Sequence, residues 1–287
     1  MKLKLISLLL LLSIAAGAQR SDKKLHKKIE AAIEGFGGDI GVYIHNLEND
    51  KTVSINADTI FPTASIVKIP ILLGVMNGIQ TRRLNYDQEL VYRDSLLYAG
   101  VDLLGSFKDS EKVELSKVVM LMLTMSDNTA SLWLQKLAGT GTAINQVLDS
   151  MGFRHTRVNS RTEGRMEDWR KYGWGQTTPR EMAMLMKKIV DAEAVSREKS
   201  EKMLRLLGRN YWDDISISQI PADVFVASKN GAVNGSRSEI LFVNGKGNKY
   251  LLSVFTKNIS DQSWQPGNEA WMLMRKISKI TWDHFNN

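Results

Sequence analysis

The sequence predicts an α+β fold. One antiparallel sheet of about five strands is built from both chain ends, the terminal helices cover one face, and an all-helical subdomain is inserted between the two sets of strands. Three observations carry this. Strand-like stretches over 40–45 and 52–55 flank a polar turn at 46–51. Three more, over 224–229, 238–244 and 250–257, close the chain, with Gly245-Lys246-Gly247 as a turn between the last two. The stretch between the two sets carries apolar residues mainly at helical spacing. The division expected is 19–62 with 216–287 for the α/β part and 63–215 for the helical part.

In chain order, a first helix is expected from Asp22 to Ile33, with Ser21 as its cap and Gly35, Gly37 and Gly38 ending it. A helix over 65–79 tolerates Pro70 because the proline falls near its start. Further helices are expected over 114–124, 127–137, 143–151, about 179–192 and 197–207, and a last one over about 268–284. Thr178 before Pro179 reads as a cap followed by a proline at the first helical position. The methionines Met120, Met122, Met125, Met182, Met184 and Met186 read as core packing.

The chain has 287 residues, 43% of them hydrophobic, enough for one large domain or two closely packed ones. Residues 1–18 read as a secretory signal: Lys2 and Lys4, an apolar centre over 6–14, and a small-residue site at Ala16-Gly17-Ala18. The expected product is exported to the periplasm, cleaved near Ala18, monomeric and without a stable membrane anchor. There is no cysteine, so thiol chemistry, disulfides and cysteine-bound metal are excluded. The net charge is +7, and Lys23, Lys24, Lys27 and Lys28 of the first helix read as a solvated face. No nucleic-acid-binding module is present.

The chemistry centres on Phe61-Pro62-Thr63-Ala64-Ser65-Ile66-Val67-Lys68. Ser65 stands at a helix start and Lys68 follows at i+3, so both side chains share one face. A serine hydroxyl needs a base to become a nucleophile, and a lysine whose pKa is lowered by burial can be that base. Free N–H groups at the helix start suit an oxyanion. Four other stretches can join it. Ser126-Asp127-Asn128 reads as a helix cap or as polar groups presented to a groove. Lys229-Asn230-Gly231-Ala232 offers a fixed charge and a strand edge that a substrate can approach closely at the glycine. Arg161-Thr162-Glu163 opens an irregular loop running to about Gln176, in which Arg161 can pin Glu163 and Glu163 can hold a water. Arg237 can reach a substrate carboxylate beside Lys229. Tyr98 and Trp174 read as packing residues more than as groove lining. His26, His45, His155 and His284 lie in unrelated contexts.

Together these stretches resemble the class A β-lactamases, within the wider family of serine penicillin-recognising enzymes, over nearly the whole exported chain. The 61–68 segment is similar to the family's nucleophile motif, Ser126-Asp127-Asn128-Thr129-Ala130 to its second and Lys229-Asn230-Gly231 to its third; Arg161-Thr162-Glu163 resembles the start of its omega loop. Thr177-Thr178-Pro179 and Ile220-Pro221-Ala222 match two further stretches. The resemblance implies a β-lactamase/transpeptidase-like fold and a two-step acyl transfer without metal or cofactor, on a small-molecule β-lactam or a peptidoglycan-derived substrate. In it Ser65 is the nucleophile, and Lys68, or Glu163 through a water, is the base. The N–H groups of Ser65 and Ala232 form the oxyanion hole, and Ser126 passes a proton to the leaving nitrogen. Asn128 holds Lys68 and the substrate amide. Lys229, Asn230, Gly231 and Arg237 bind substrate, and Glu163 activates the deacylating water. Two positions depart from the pattern: Asn230 replaces a Thr or Ser, and Glu167 replaces an Asn. A D-Ala-D-Ala peptidase-like amide hydrolase, or a penicillin-binding module that stays acylated, remain the alternatives.

Overall fold

The computed structural model describes residues 20–286, so the expected signal segment lies outside the described residues. The elements are β1 (Arg20–Ser21), α1 (Lys23–Ile33), β2 (Asp39–Asn46), β3 (Lys51–Ile55), β4 (Phe61–Pro62), α2 (Lys68–Gln80), β5 (Glu89–Val91), β6 (Lys112–Glu114), α3 (Leu115–Thr124), α4 (Asn128–Leu137), α5 (Thr140–Ser150), β7 (Arg157–Val158), α6 (Met166–Tyr172), β8 (Gly175–Thr177), α7 (Pro179–Val190), α8 (Arg197–Leu207), β9 (Phe225–Val233), β10 (Ser236–Gly245), β11 (Asn248–Lys257) and α9 (Glu269–Asn286). The main sheet runs β1-β3-β2-β11-β10-β9. Five strands form the antiparallel sheet expected. The sixth, β1, is a two-residue parallel addition to β3 at the edge.

Both faces of the sheet are buried, which is why its strands read as apolar runs rather than strict alternation. One face sends Val42, Ile44, Leu241, Val243, Leu252 and Val254 against Leu25 and Ile29 of α1 and Met274 and Ile277 of α9. The other sends Tyr43, Ile240, Phe242, Leu251 and Phe255 into the helical block, around α2. The terminal helices are tied at their ends. Asp22, rather than Ser21, caps α1 by accepting from Leu25 N at 3.0 Å, and its second oxygen meets His284 of α9 at 2.9 Å. A carboxylate accepts at this position as well as a hydroxyl does, and the nearby histidine favours the acid.

The helical block is built on α2. Its side chains are buried from Lys68 through Met76, so this stretch of the helix has no solvent face. Burying each large apolar side chain contributes roughly 1.5–3 kcal/mol. The start differs from the expectation of one helix from Ser65: a 3₁₀ turn, Ala64–Val67, precedes α2. Pro70 sits in the opening turn of α2, where its missing N–H costs least. Thr178 caps α7 by accepting from Glu181 N at 3.1 Å, with Pro179 at its first position.

The 161–176 segment, expected to be irregular, contains α6 and leads into β8, which pairs with β4 and β7. The signal for α6 was present in Met166-Glu167-Asp168-Trp169-Arg170-Lys171-Tyr172: acids fill its first turn and bases its last, complementing the helix dipole.

Candidate active site

The junction of the sheet and the helical block opens as a cleft of about 730 Å³, lined by Ser65, Asn128 and Ala232 among others. Ser65 reaches it because β4 and the 3₁₀ turn are clamped from two sides. Thr63 N donates to Gly175 O of β8 at 2.9 Å. On the other side β9 presses against the turn at Gly231, where an added Cβ would lie 2.6 Å from Thr63 O and 2.9 Å from Ser65 N. Only a residue without a side chain allows that approach. The turn is also bent: Ala64 has φ 44°, a left-handed conformation that costs a non-glycine residue roughly 1–2 kcal/mol.

Lys68 Nζ lies 2.9 Å from Ser65 Oγ, 3.0 Å from Ser126 Oγ, 2.7 Å from Ser126 O and 3.0 Å from Asn128 Oδ1. The side chain is fully buried. Burial, then the nearby Lys229 charge, hold its pKa well below that of an ordinary lysine, while Asp127 pulls it partly back. The contact geometry agrees with an uncharged amine. A carbonyl and an amide oxygen can only accept, so they take its two N–H groups. The lone pair is left for a hydroxyl, that of Ser65 or Ser126.

Ser126 and Asn128 are presented by the short link between α3 and α4. Ser126 has φ 61°, which turns the chain back toward the cleft. Asp127 fixes the link: Oδ1 accepts from Ala130 N at 2.7 Å as the cap of α4, and Oδ2 accepts from Leu103 N at 2.6 Å and Leu104 N at 2.9 Å. Asp127 thus caps α4, while its neighbours Ser126 and Asn128 contact Lys68.

Lys229 is buried in β9 and donates from Nζ to Asn230 O at 2.9 Å and Asn230 Oδ1 at 3.1 Å. That contact leaves the Asn230 amide N–H free to donate elsewhere. Burial pushes the Lys229 ammonium down to about 7, against a smaller upward pull from Glu239. Glu239 is itself buried and pushed up to about 7, with one oxygen accepting from Ser216 N at 3.0 Å. A consequence can be measured. As pH rises above neutrality Lys229 loses its charge, so KM for a carboxylate-bearing substrate is expected to rise by up to about tenfold per pH unit above pH 7, whereas the methyl ester of the same substrate shows a flat KM. A KM for the acid that stays level through this range would show that Lys229 remains charged or does not hold the carboxylate.

Two residues expected at the site are placed elsewhere. Glu163 is exposed and forms no part of the cleft wall. Arg161 makes no ion pair with it; Arg165 pins the loop instead, donating to Asn159 Oδ1 at 2.8 Å and Gln176 Oε1 at 3.1 Å and pairing with Asp168 at 2.8 Å. Glu167 stands exposed in the first turn of α6. Arg237 is buried on the other side of the sheet. Its guanidinium donates to the carbonyls of Val233, Ser236 and, at 2.9 Å, Ser263, and stacks 4.5 Å from Trp264 and 4.8 Å from Trp271 of α9. Strand alternation explains this: Lys229 pairs with Ile240, and Arg237, an odd number of residues away, faces the terminal helices.

Other residues also stand at the cleft. Tyr98 and Trp174 both line it and meet edge to face at 5.1 Å, so they pack and form wall at once. Lys171, Ser236, Lys257 and Gln262 also line it. None carries a sequence motif; only the fold brings them there.

Comparison with known proteins gives the family and the fold. The Beta-lactamase VEB-1 of Pseudomonas aeruginosa is 26% identical over all of this chain and 98% of its own. PBP-A superposes with a TM-score of 0.82 at 23% identity, over 93% of this chain and 97% of its own, and a PBP-A variant has been captured as an acyl-enzyme complex with penicillin G. The TLA-3 extended-spectrum beta-lactamase superposes with a TM-score of 0.83 at 18% identity, over 92% and 99% of the two chains. The resemblance and the fold class read from the motifs are borne out. The profile described as Beta-lactamase enzyme family matches residues 24–285, and the chain belongs to that family.

Proposed function

We propose that the protein is a class A-like serine β-lactamase acting through a Ser65 acyl-enzyme. Membership of the family supports a hydrolase acting on β-lactams. The observation that carries the mechanism is the set of contacts that holds the buried Lys68 Nζ 2.9 Å from Ser65 Oγ and 3.0 Å from Ser126 Oγ. Ser65 Oγ attacks the lactam carbonyl, and its proton passes to Lys68. The carbonyl oxygen gains negative charge in front of the N–H groups of Ser65 and Ala232. The C–N bond then breaks, and Lys68 returns the proton through Ser126 Oγ to the leaving nitrogen. Asn128 orients Lys68 and the substrate amide, and Lys229 with Asn230 holds the substrate carboxylate. A water activated by Glu163 hydrolyses the ester once the loop turns that carboxylate inward. The reading includes export by way of residues 1–18, work as a periplasmic monomer, and a part in β-lactam catabolism and antibiotic resistance. No helix among the described residues is long and apolar enough to cross a membrane.

One observation favours a second reading. With Glu163 exposed, outside the cleft wall, acylation is supported more strongly than deacylation. A penicillin-binding protein that turns over slowly, or a D-Ala-D-Ala peptidase-like hydrolase, fits that arrangement. Intact mass spectra after mixing with a chromogenic cephalosporin separate them. Turnover without a persistent adduct supports the β-lactamase; a lasting adduct supports the binding protein. Release of D-alanine from a muropeptide, without cephalosporin turnover, supports the peptidase. In the first case Glu163→Gln is expected to accumulate adduct and lower turnover by about 10²–10⁴-fold, the usual loss of a general base. Unchanged turnover would remove Glu163 from the mechanism.

A further inference from the structure

The strand register fixes what stands on either side of Gly231 along β9. Gly231 faces Ser65 N, so the nucleophile sits opposite the middle of the Lys229–Val233 stretch of β9. Lys229 lies two residues to one side. Val233 lies two residues to the other, about 13 Å from Lys229 along the strand. Val233 pairs with Ser236 of β10. The β10–β11 pairing sets Ser238 beside Phe255, and continued by two residues it sets Ser236 beside Lys257. Val233, Ser236 and Lys257 thus form one row across three strands, on the face that carries Lys229, and all three line the cleft.

Lys257 is held in place. Its Nζ donates to Ile60 O at 2.9 Å and lies 4.9 Å over the Phe61 ring. Two further ammonium protons remain for a ligand. Asp39 is opposite Lys257 in register, but it accepts from Asn258 Nδ2 at 2.8 Å and forms no ion pair with the lysine. A second cation, Lys171, reaches the same cleft from the end of α6, and Gln262 adds an exposed amide. No carboxylate side chain lines the cleft among the described residues. The charged side chains that line the cleft, Lys171 and Lys257, are both positive, and Lys229 is buried in the adjoining strand on the other side of Gly231, which favours a ligand that is negative at both ends.

We propose that the Lys257 end is a second anion subsite, with Lys171 in support, and that the preferred substrate carries a free carboxylate on its acyl side chain as well as one beside the leaving nitrogen. This rests on the acyl-transfer reading of the same cleft and names its substrate class. Lys257 acts by binding and orientation; it does not touch the reacting atoms.

The test uses a cephalosporin with a glutaryl side chain and its analogue in which the distal carboxylate is a primary amide of the same size. The wild type is expected to show a carboxylate-to-amide ratio in kcat/KM of about ten, the scale of one charge-assisted contact that water partly screens. That ratio falls to about one in Lys257→Met, returns in Lys257→Arg, and drops a few-fold in Lys171→Ala, whose exposed position leaves the fold alone. A wild-type ratio of one, or a ratio that survives in the Lys257→Met, Lys171→Ala double variant, overturns the subsite. Binding of both compounds to Ser65→Ala, measured by calorimetry, keeps the result independent of chemistry. If neither compound acylates the wild type, the acyl-transfer reading fails, yet the same tenfold affinity ratio still supports the subsite and equal affinities still refute it.

Discussion

Lys68→Met is expected to slow acylation by a chromogenic cephalosporin by about a thousandfold or more, measured as the rate of adduct formation in intact mass spectra. The methionine keeps the length and the apolar stem of the side chain but removes the lone pair that faces the Ser65 and Ser126 hydroxyls. Loss of a general base accounts for about 10²–10⁴-fold, and the amine here also links two hydroxyls, so the upper part of that range is expected. A second signature separates this from simple damage. Burial lowers the Lys68 pKa in the folded protein, so between that value and the ordinary lysine value the unfolded chain binds one proton more. Stability therefore falls as pH drops through this window, by up to about 1.4 kcal/mol per unit. The methionine variant lacks this term and gains relative to the wild type from about pH 10 downward, until the folded pKa is reached. Parallel stability curves for the two proteins would mean that Lys68 is charged in the folded state. Wild-type acylation is expected to fall on the acid side, as the amine takes up a proton.

Gly231→Ala carries the next largest effect, and it reaches the site without changing a functional group. The new methyl would stand 2.6 Å from Thr63 O, 2.9 Å from Ser65 N and 3.1 Å from the Ala64 Cβ. Two of these are backbone atoms, so β9 or the 3₁₀ turn must retreat. The turn is held on its far side by Gly175 O, so β9 is the part expected to move. That displaces Ala232 N from Ser65 N, the two donors proposed to hold the oxyanion. Losing one such donor costs about 10²–10³-fold in rate, and overpacking of this kind costs about 1–3 kcal/mol in stability. Stopped-flow acylation and a thermal melt measure both. Acylation within threefold of wild type would show that the strand does not contribute to the reaction.

Short motifs whose local structure is set by near neighbours were legible in the sequence. Ser65 and Lys68 share a face because they are one turn apart, and Asp127 caps because a polar residue precedes a helix. Thr178-Pro179 marks a helix start for the same local reason. The close approach at Gly231 was legible too, although the strand expected to end at Lys229 runs on to Val233. What was not legible depends on direction in space. Glu163 stands at the sequence distance the motifs lead one to expect, but its side chain is exposed, and spacing along the chain does not tell which way a loop side chain points. Arg237 was assigned by proximity to Gly231 along the chain; counting alternate residues across the hairpin would have sent it to the other face. Lys257 and Lys171 carried no signal, since their meeting depends on register between strands far apart in sequence.

The clamp around Ser65 has a bearing on biogenesis. The turn that carries Ser65 is braced by β8 from the middle of the chain and by β9 from its last quarter, so no fragment ending before residue 233 holds the complete brace. A fluorescent penicillin that labels Ser65 would then serve as a folding clock, silent on emerging or half-assembled chains and lit only when the closing strands have docked.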